Sequence, residues 1–223
     1  TGGAGPASPG ASATTAPMSP TGPHAKANGA NEIDLTWTAV RAADSYNILR
    51  GTSHGGPYSQ VGTSSTPSDA DAGLSASTTY YYVVQAMSNG STSANSAEAT
   101  ATTTPDAPGT VSATAGSASV SLTWSASTGA TGYMVFKSLA SGGPYAKVGA
   151  PAGTSLTLAG LTPGIMYYFV VTANNAGGAS EYSQEVSAMP LPGVTSGLRA
   201  KAVSSTEINL LWSAAKGATG YTI

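Results

Sequence analysis

Three times along the chain, apolar and polar residues alternate and the alternation ends on a tryptophan: Ile33, Leu35, Trp37; Val120, Leu122, Trp124; Ile208, Leu210, Trp212. Period two is the spacing of a β-strand with one buried face. The tryptophans are 87 and 88 residues apart, so the chain repeats. Nine residues after each stands a tyrosine (Tyr46, Tyr133, Tyr221) that opens a second predicted strand. The tetrapeptide Gly-Gly-Pro-Tyr then occurs at 55–58 and again at 142–145, a turn followed by a short strand. Leu74 and Leu161 each precede by six residues a tyrosine, Tyr80 or Tyr167, that opens a run rich in aromatic and β-branched residues. Helical periodicity is absent. Many short strands with turn signals between them predict an all-β chain of tandem sandwiches, each of two antiparallel sheets.

The repeat divides the chain into a Gly/Ala/Pro/Ser/Thr linker or arm at 1–16, complete modules at 17–104 and 105–189, and an incomplete third at 190–223. The first segment has no side chain able to build a core. The proline-bearing borders Thr104-Pro105 and Met189-Pro190 predict connections stiffer than a Gly/Ser tether. Beginning at Thr1 and stopping early in its third module, the sequence reads as a portion of a longer chain.

Charge is scarce. Eight Lys and Arg stand against ten Asp and Glu, a net of −2, which offers no basic field for nucleic acid and no polybasic segment for anionic lipid. No apolar run approaches the ~20 residues of a spanning helix, so membrane insertion is not expected. With no cysteine, disulfides and thiolate metal sites are excluded.

The tryptophan of the first apolar strand, the tyrosine of the next, and the corner Leu161-Thr162-Pro163-Gly164 before Tyr167 resemble the fibronectin type III family. The first module departs from the corner, with Ala76 in place of the proline. The resemblance implies that Trp37, Trp124, Trp212, Tyr46, Tyr133, Tyr221, Leu74 and Leu161 fill the core. It also implies that Tyr80 and Tyr167 are corner tyrosines whose hydroxyls bond back to the preceding turn. The family's Arg-Gly-Asp is absent, since Arg50-Gly51-Thr52 lacks the carboxylate.

Candidate chemistry is thin. His24 and His54 have no partner nearby in sequence and read as solvated bystanders. Asp69-Ala70-Asp71-Ala72-Gly73 has the carboxylate density of a calcium loop but no distal glutamate, and reads as a turn. Asn89-Gly90-Ser91 is either a glycosylation acceptor or a tight hairpin. No enzyme, cofactor or metal is expected.

What remains is the outer sheet face. Alternation from the inward Tyr46, Tyr80 and Tyr133 places Leu49, Tyr81, Val83, Met134, Phe136, Tyr168 and Val170 outside. That set is either a contact surface or a consequence of strand propensity. The expected role is a non-catalytic spacer and interaction segment of a secreted or cell-surface bacterial protein, such as a fibre subunit, contacting neighbouring modules or copies of itself. The alternative is a set of accessory modules of a large extracellular carbohydrate-active enzyme, or weak polysaccharide-binding modules.

Overall fold

The computed structural model describes residues 15–223, so the linker expected at 1–16 lies outside the described residues except for its last two. The described residues fall into two compact units. One holds the residues up to Leu74 with Thr78–Thr102, and the other holds Ser75–Ser77 with Thr103–Ile223.

The first unit contains β1 (Thr21–Ala27), β2 (Glu32–Thr38), β3 (Ser45–Gly51), β4 (Ser59–Ser64), β5 (Ser68–Ala72), β6 (Thr79–Ser88), β7 (Ser91–Thr92) and β8 (Ala99–Thr102). Strands β1-β2-β5 make one antiparallel sheet, and β4-β3-β6-β7, with β8 also on β6, make the other. The second unit repeats this plan with β9 (Ser112–Gly116), β10 (Ser119–Thr123), β11 (Gly132–Ser138), β12 (Ala146–Gly149), β13 (Ser155–Ala159), β14 (Tyr167–Asn175), β15 (Gly178–Ala179) and β16 (Val186–Ala188). Its sheets are β13-β10-β9 and β12-β11-β14-β15, with β16 on β14. No helix occurs among the described residues, and the expected all-β tandem sandwich is the fold observed.

The cores follow the alternation. Ile33, Leu35 and Trp37 are buried with Tyr46, Ile48, Leu74, Tyr80, Tyr82 and Val84 in one cluster. Val120, Leu122 and Trp124 are buried with Tyr133, Val135, Leu161, Tyr167, Phe169 and Val171 in the other. Each indole meets the tyrosine nine residues on edge-to-face, at 5.2 Å for Trp37–Tyr46 and 5.5 Å for Trp124–Tyr133. Such pairs contribute about 1 kcal/mol beyond burial. The same hydroxyl closes the turn between the two strands: Val40 N donates to Tyr46 Oη at 2.8 Å, and Ser127 N to Tyr133 Oη at 3.0 Å. At the corner, Thr162 N donates to Tyr167 Oη at 3.1 Å.

The core expectation fails for Trp212 and Tyr221. Among the described residues, strands β17 (Ser196–Ala202) and β18 (Ile208–Ser213) pair only with each other. The ring pair forms at 5.3 Å and Ala215 N donates to Tyr221 Oη at 2.9 Å, yet Trp212 is only half-buried and Tyr221 is 42% exposed. The local geometry of the motif is set by nine residues of sequence, whereas burial needs a facing sheet, which these two strands lack among the described residues.

The aspartate-rich segment is not a turn. It forms β5, pairing with β2 so that Asp71 lies opposite Ile33 and Asp69 opposite Leu35, on the core side of the sheet. Arg50 Nη1 reaches Asp71 Oδ1 and Oδ2 at 2.9 and 2.8 Å, and Tyr82 Oη donates to Asp71 Oδ2 at 2.9 Å. In the second unit the residues at the same register are Lys137, Leu158 and Phe169. There the carboxylate, its phenol and its guanidinium have all been exchanged, and the Lys137 ammonium lies 4.9 Å from the centre of the Tyr167 ring. One fold accommodates, at the same three positions, an Arg-Asp-Tyr ionic triad or a Lys-Leu-Phe set without a carboxylate.

Candidate contact surface

The outer face of the larger sheet is built by β3 and β6 in the first unit and by β11 and β14 in the second. Register puts Leu49 opposite Val83 and Phe136 opposite Val170. Leu49, Tyr81, Met134, Phe136 and Tyr168 are half-buried. Val83 and Val170 are each only 3% exposed, so their assignment to an exposed patch is corrected. A short β-branched side chain in the middle of a sheet, flanked by longer leucine and aromatic neighbours, lies beneath them.

The repeated Gly-Gly-Pro-Tyr turn borders this face, and a glutamate 40 residues after its tyrosine holds it. In the first unit Gly55 N donates to Glu98 Oε2 at 2.9 Å, Tyr58 Oη donates to the same oxygen, and His54 Nδ1 lies 2.5 Å from Glu98 Oε1. In the second, Gly142 N donates to Glu185 Oε2 at 2.9 Å, Tyr145 Oη donates to it as well, and Ser141 Oγ donates to Oε1 at 2.7 Å. The paired glycines have φ of +78° and +92° in one turn and +79° and +94° in the other, a region closed to most L residues. Both peptide bonds before the prolines are cis.

The tyrosine hydroxyl, followed by the other donors, holds each glutamate below the usual carboxylate range, and the carboxylate pushes Tyr58 and Tyr145 up. His54 is therefore a member of this clamp and not a bystander, and its ring also meets Tyr81 at 6.0 Å. Glu98 and Glu185 carry no motif of their own. The signal that finds them is the repeat itself, which places a glutamate at the same offset in both copies.

Sequence patterning also misses Tyr182. It precedes β16, is 48% exposed, and packs edge-on against Phe136 at 5.2 Å and Tyr145 at 5.6 Å. Its counterpart in the first unit is Asn95, which accepts from Gln85 Nε2 at 2.9 Å. Asn89 and Gly90, with φ of +47° and +77°, form the tight hairpin joining β6 to β7, so that part of the Asn-Gly-Ser alternative is realised.

The fibronectin type III domain profile matches residues 106–189. The second module is a fibronectin type III domain. The first has the same sheets in the same order. Across 93% of its length the chain is 32% identical to Exoglucanase B of Cellulomonas fimi, covering 20% of that enzyme. Over 82% of its length it is 35% identical to Endoglucanase B of the same organism, covering 19% of it. Amylopullulanase of Thermoanaerobacterium saccharolyticum is 38% identical over 88 residues, 39% of this chain and 7% of that one. A crystal structure of a Fn3-like protein from Clostridium thermocellum is 44% identical, with a TM-score of 0.37, covering 39% of this chain and 92% of that one. The chain thus spans about a fifth of the length of the glucanases it resembles.

Proposed function

We propose that these fibronectin type III modules, at 17–104 and 105–189, are a non-catalytic spacer and contact segment of a larger secreted bacterial protein that acts on polysaccharide. The observation that carries this reading is the extent of the similarity: nearly the whole chain aligns with about one fifth of an exoglucanase. The geometry is in keeping with it, because three of the carboxylates serve the fold. Asp71 is held by Arg50 and Tyr82, and Glu98 and Glu185 hold their turns. Stiffness at the second border is supported by three backbone bonds, Ala118 N to Leu191 O at 3.0 Å, Leu191 N to Gly116 O at 2.9 Å and Gly164 N to Pro190 O at 3.1 Å, with Pro190 fully buried.

The chain has no cysteine, so a pair introduced at Ser19 and Ser187 takes up donor and acceptor dyes cleanly. A spacer gives a single narrow distance distribution by single-molecule energy transfer. A broad distribution of the random-coil kind overturns the reading.

A further inference from the structure

The outer faces of the two complete modules differ in one respect that the fold does not require. In the first, amides close the face: Gln60 Nε2 donates to Asn47 Oδ1 at 3.3 Å, and Gln85 Nε2 to Asn95 Oδ1 at 2.9 Å. In the second, the same four positions are Lys147, Met134, Thr172 and Tyr182, and the network is gone. A groove of about 210 Å³ lies there, lined by Met134, Phe136, Thr172, Ser180, Glu181 and Tyr182. Thr172 is 4% exposed, and its Oγ1 is buried with no hydrogen-bond partner. An unsatisfied buried hydroxyl costs about 1–3 kcal/mol, a cost that the paired Gln85 at this position of the first module avoids.

We propose that this groove is a subsite for one pyranose ring of a neutral glycan chain. The apolar face of a sugar matches the joined surfaces of Phe136 and Tyr182, with Met134 beside them. Tyr145 Oη donates to Glu185, which fixes its ring beside Tyr182 before any ligand arrives, so little ordering remains to be done on binding. Sugar hydroxyls can donate to the exposed carboxylate of Glu181 at the rim of the groove. Acidic glycans are disfavoured by the carboxylates of Glu181 and Glu185. A peptide joining by strand addition is disfavoured as well, because Met134, Phe136 and Thr172 sit on β11 and β14, which are flanked on both sides in the sheet order. The volume is below the ~300–1,000 Å³ of pockets that enclose a whole small molecule, which suits one ring of a polymer whose remainder stays in solvent.

The proposal goes beyond the spacer reading and stands apart from it, since a segment with no affinity for sugar still gives the narrow distance distribution. Titration of the full chain with cellohexaose and with maltohexaose, followed by amide chemical shifts, tests it. The expected result is saturable shifts at Met134, Phe136, Thr172 and Glu181 with at least one of the two, and none at Asn47, Leu49 or Asn95. Tyr182→Asn, which installs the residue the first module already carries, weakens binding about tenfold or more, the equivalent of losing one ring contact. Phe136→Leu, likewise borrowed from the first module, serves as a second variant should the first melt early. Absence of shifts with both oligosaccharides, or unchanged affinity in a variant that melts with the wild type, overturns the proposal.

Discussion

A single carboxylate oxygen that receives both a tyrosine hydroxyl and a glycine amide fixes each Gly-Gly-Pro-Tyr turn. Because Glu98 and Glu185 titrate lower in the folded chain than unfolded, their contribution is complete above the ordinary carboxylate range and is lost as pH falls through the depressed value. The ring resonances of Tyr58 and Tyr145 should therefore move together in a step centred below the midpoint of a free glutamate, and Glu185→Gln should abolish the step for Tyr145 alone. A midpoint at the ordinary value would remove the clamp from the account. Asp69 has the opposite sign. Burial, with Asp71 beside it, raises its value, so the folded chain takes up this proton more readily and the benefit fades as pH rises through the raised value. Asp69→Leu, the residue found at Leu156, should stabilise the first module by about 1 kcal/mol at pH 7. The gain should shrink at pH 3, as read from paired thermal melts.

Among the strands, the ionic triad of the first module is a natural contrast to Lys137, Leu158 and Phe169 of the second. Arg50→Met strands Asp71, which is 9% exposed, and should cost about 3 kcal/mol. Tyr82→Phe removes one bond to the carboxylate and should cost about 1 kcal/mol. Changing Arg50, Asp71 and Tyr82 together to Lys, Leu and Phe should return stability to within about 1 kcal/mol of the starting chain or above it. Urea unfolding followed at the Val84 and Ala86 amides measures all three. A triple variant no better than Arg50→Met would show that the second module's solution does not transfer. Strand placement was legible because β2, β3, β6 and their copies alternate around large apolar residues. The aspartates on β5 were not, because Asp-Ala-Asp-Ala-Gly has the composition of a turn and only the pairing with Ile33 and Leu35 reveals a strand. Tyr182 was illegible for a related reason: it lies outside any alternating run, and only packing brings it to Phe136.

At the scale of the whole chain, the same nine-residue motif sits in three environments, and the indoles report on them. Trp37 and Trp124 are 7% and 5% exposed while Trp212 is half-buried, so acrylamide should quench one emitting class strongly and the others weakly. Trp212→Phe should remove the accessible class. Strong quenching that survives this substitution would mean an open core in a complete module. Sequence alone placed Trp212 and Tyr221 with their counterparts because repeat register encodes the local ring pair but not the sheet that must face it. The exchange of Arg50, Asp71 and Tyr82 for Lys137, Leu158 and Phe169 has a bearing on assembly too. Neighbouring copies with matching strand order risk trading β5 for β13 while the chain collapses. A hybrid carrying β5 in the second core would set Asp71 against Phe169, with no phenol to donate to it and a lysine in place of the guanidinium, while the reciprocal hybrid would leave Arg50 facing Leu158. Each exchange therefore gives up hydrogen bonds to Asp71 that the native pairing keeps, so the divergence between the copies should favour the return of every strand to its own sandwich.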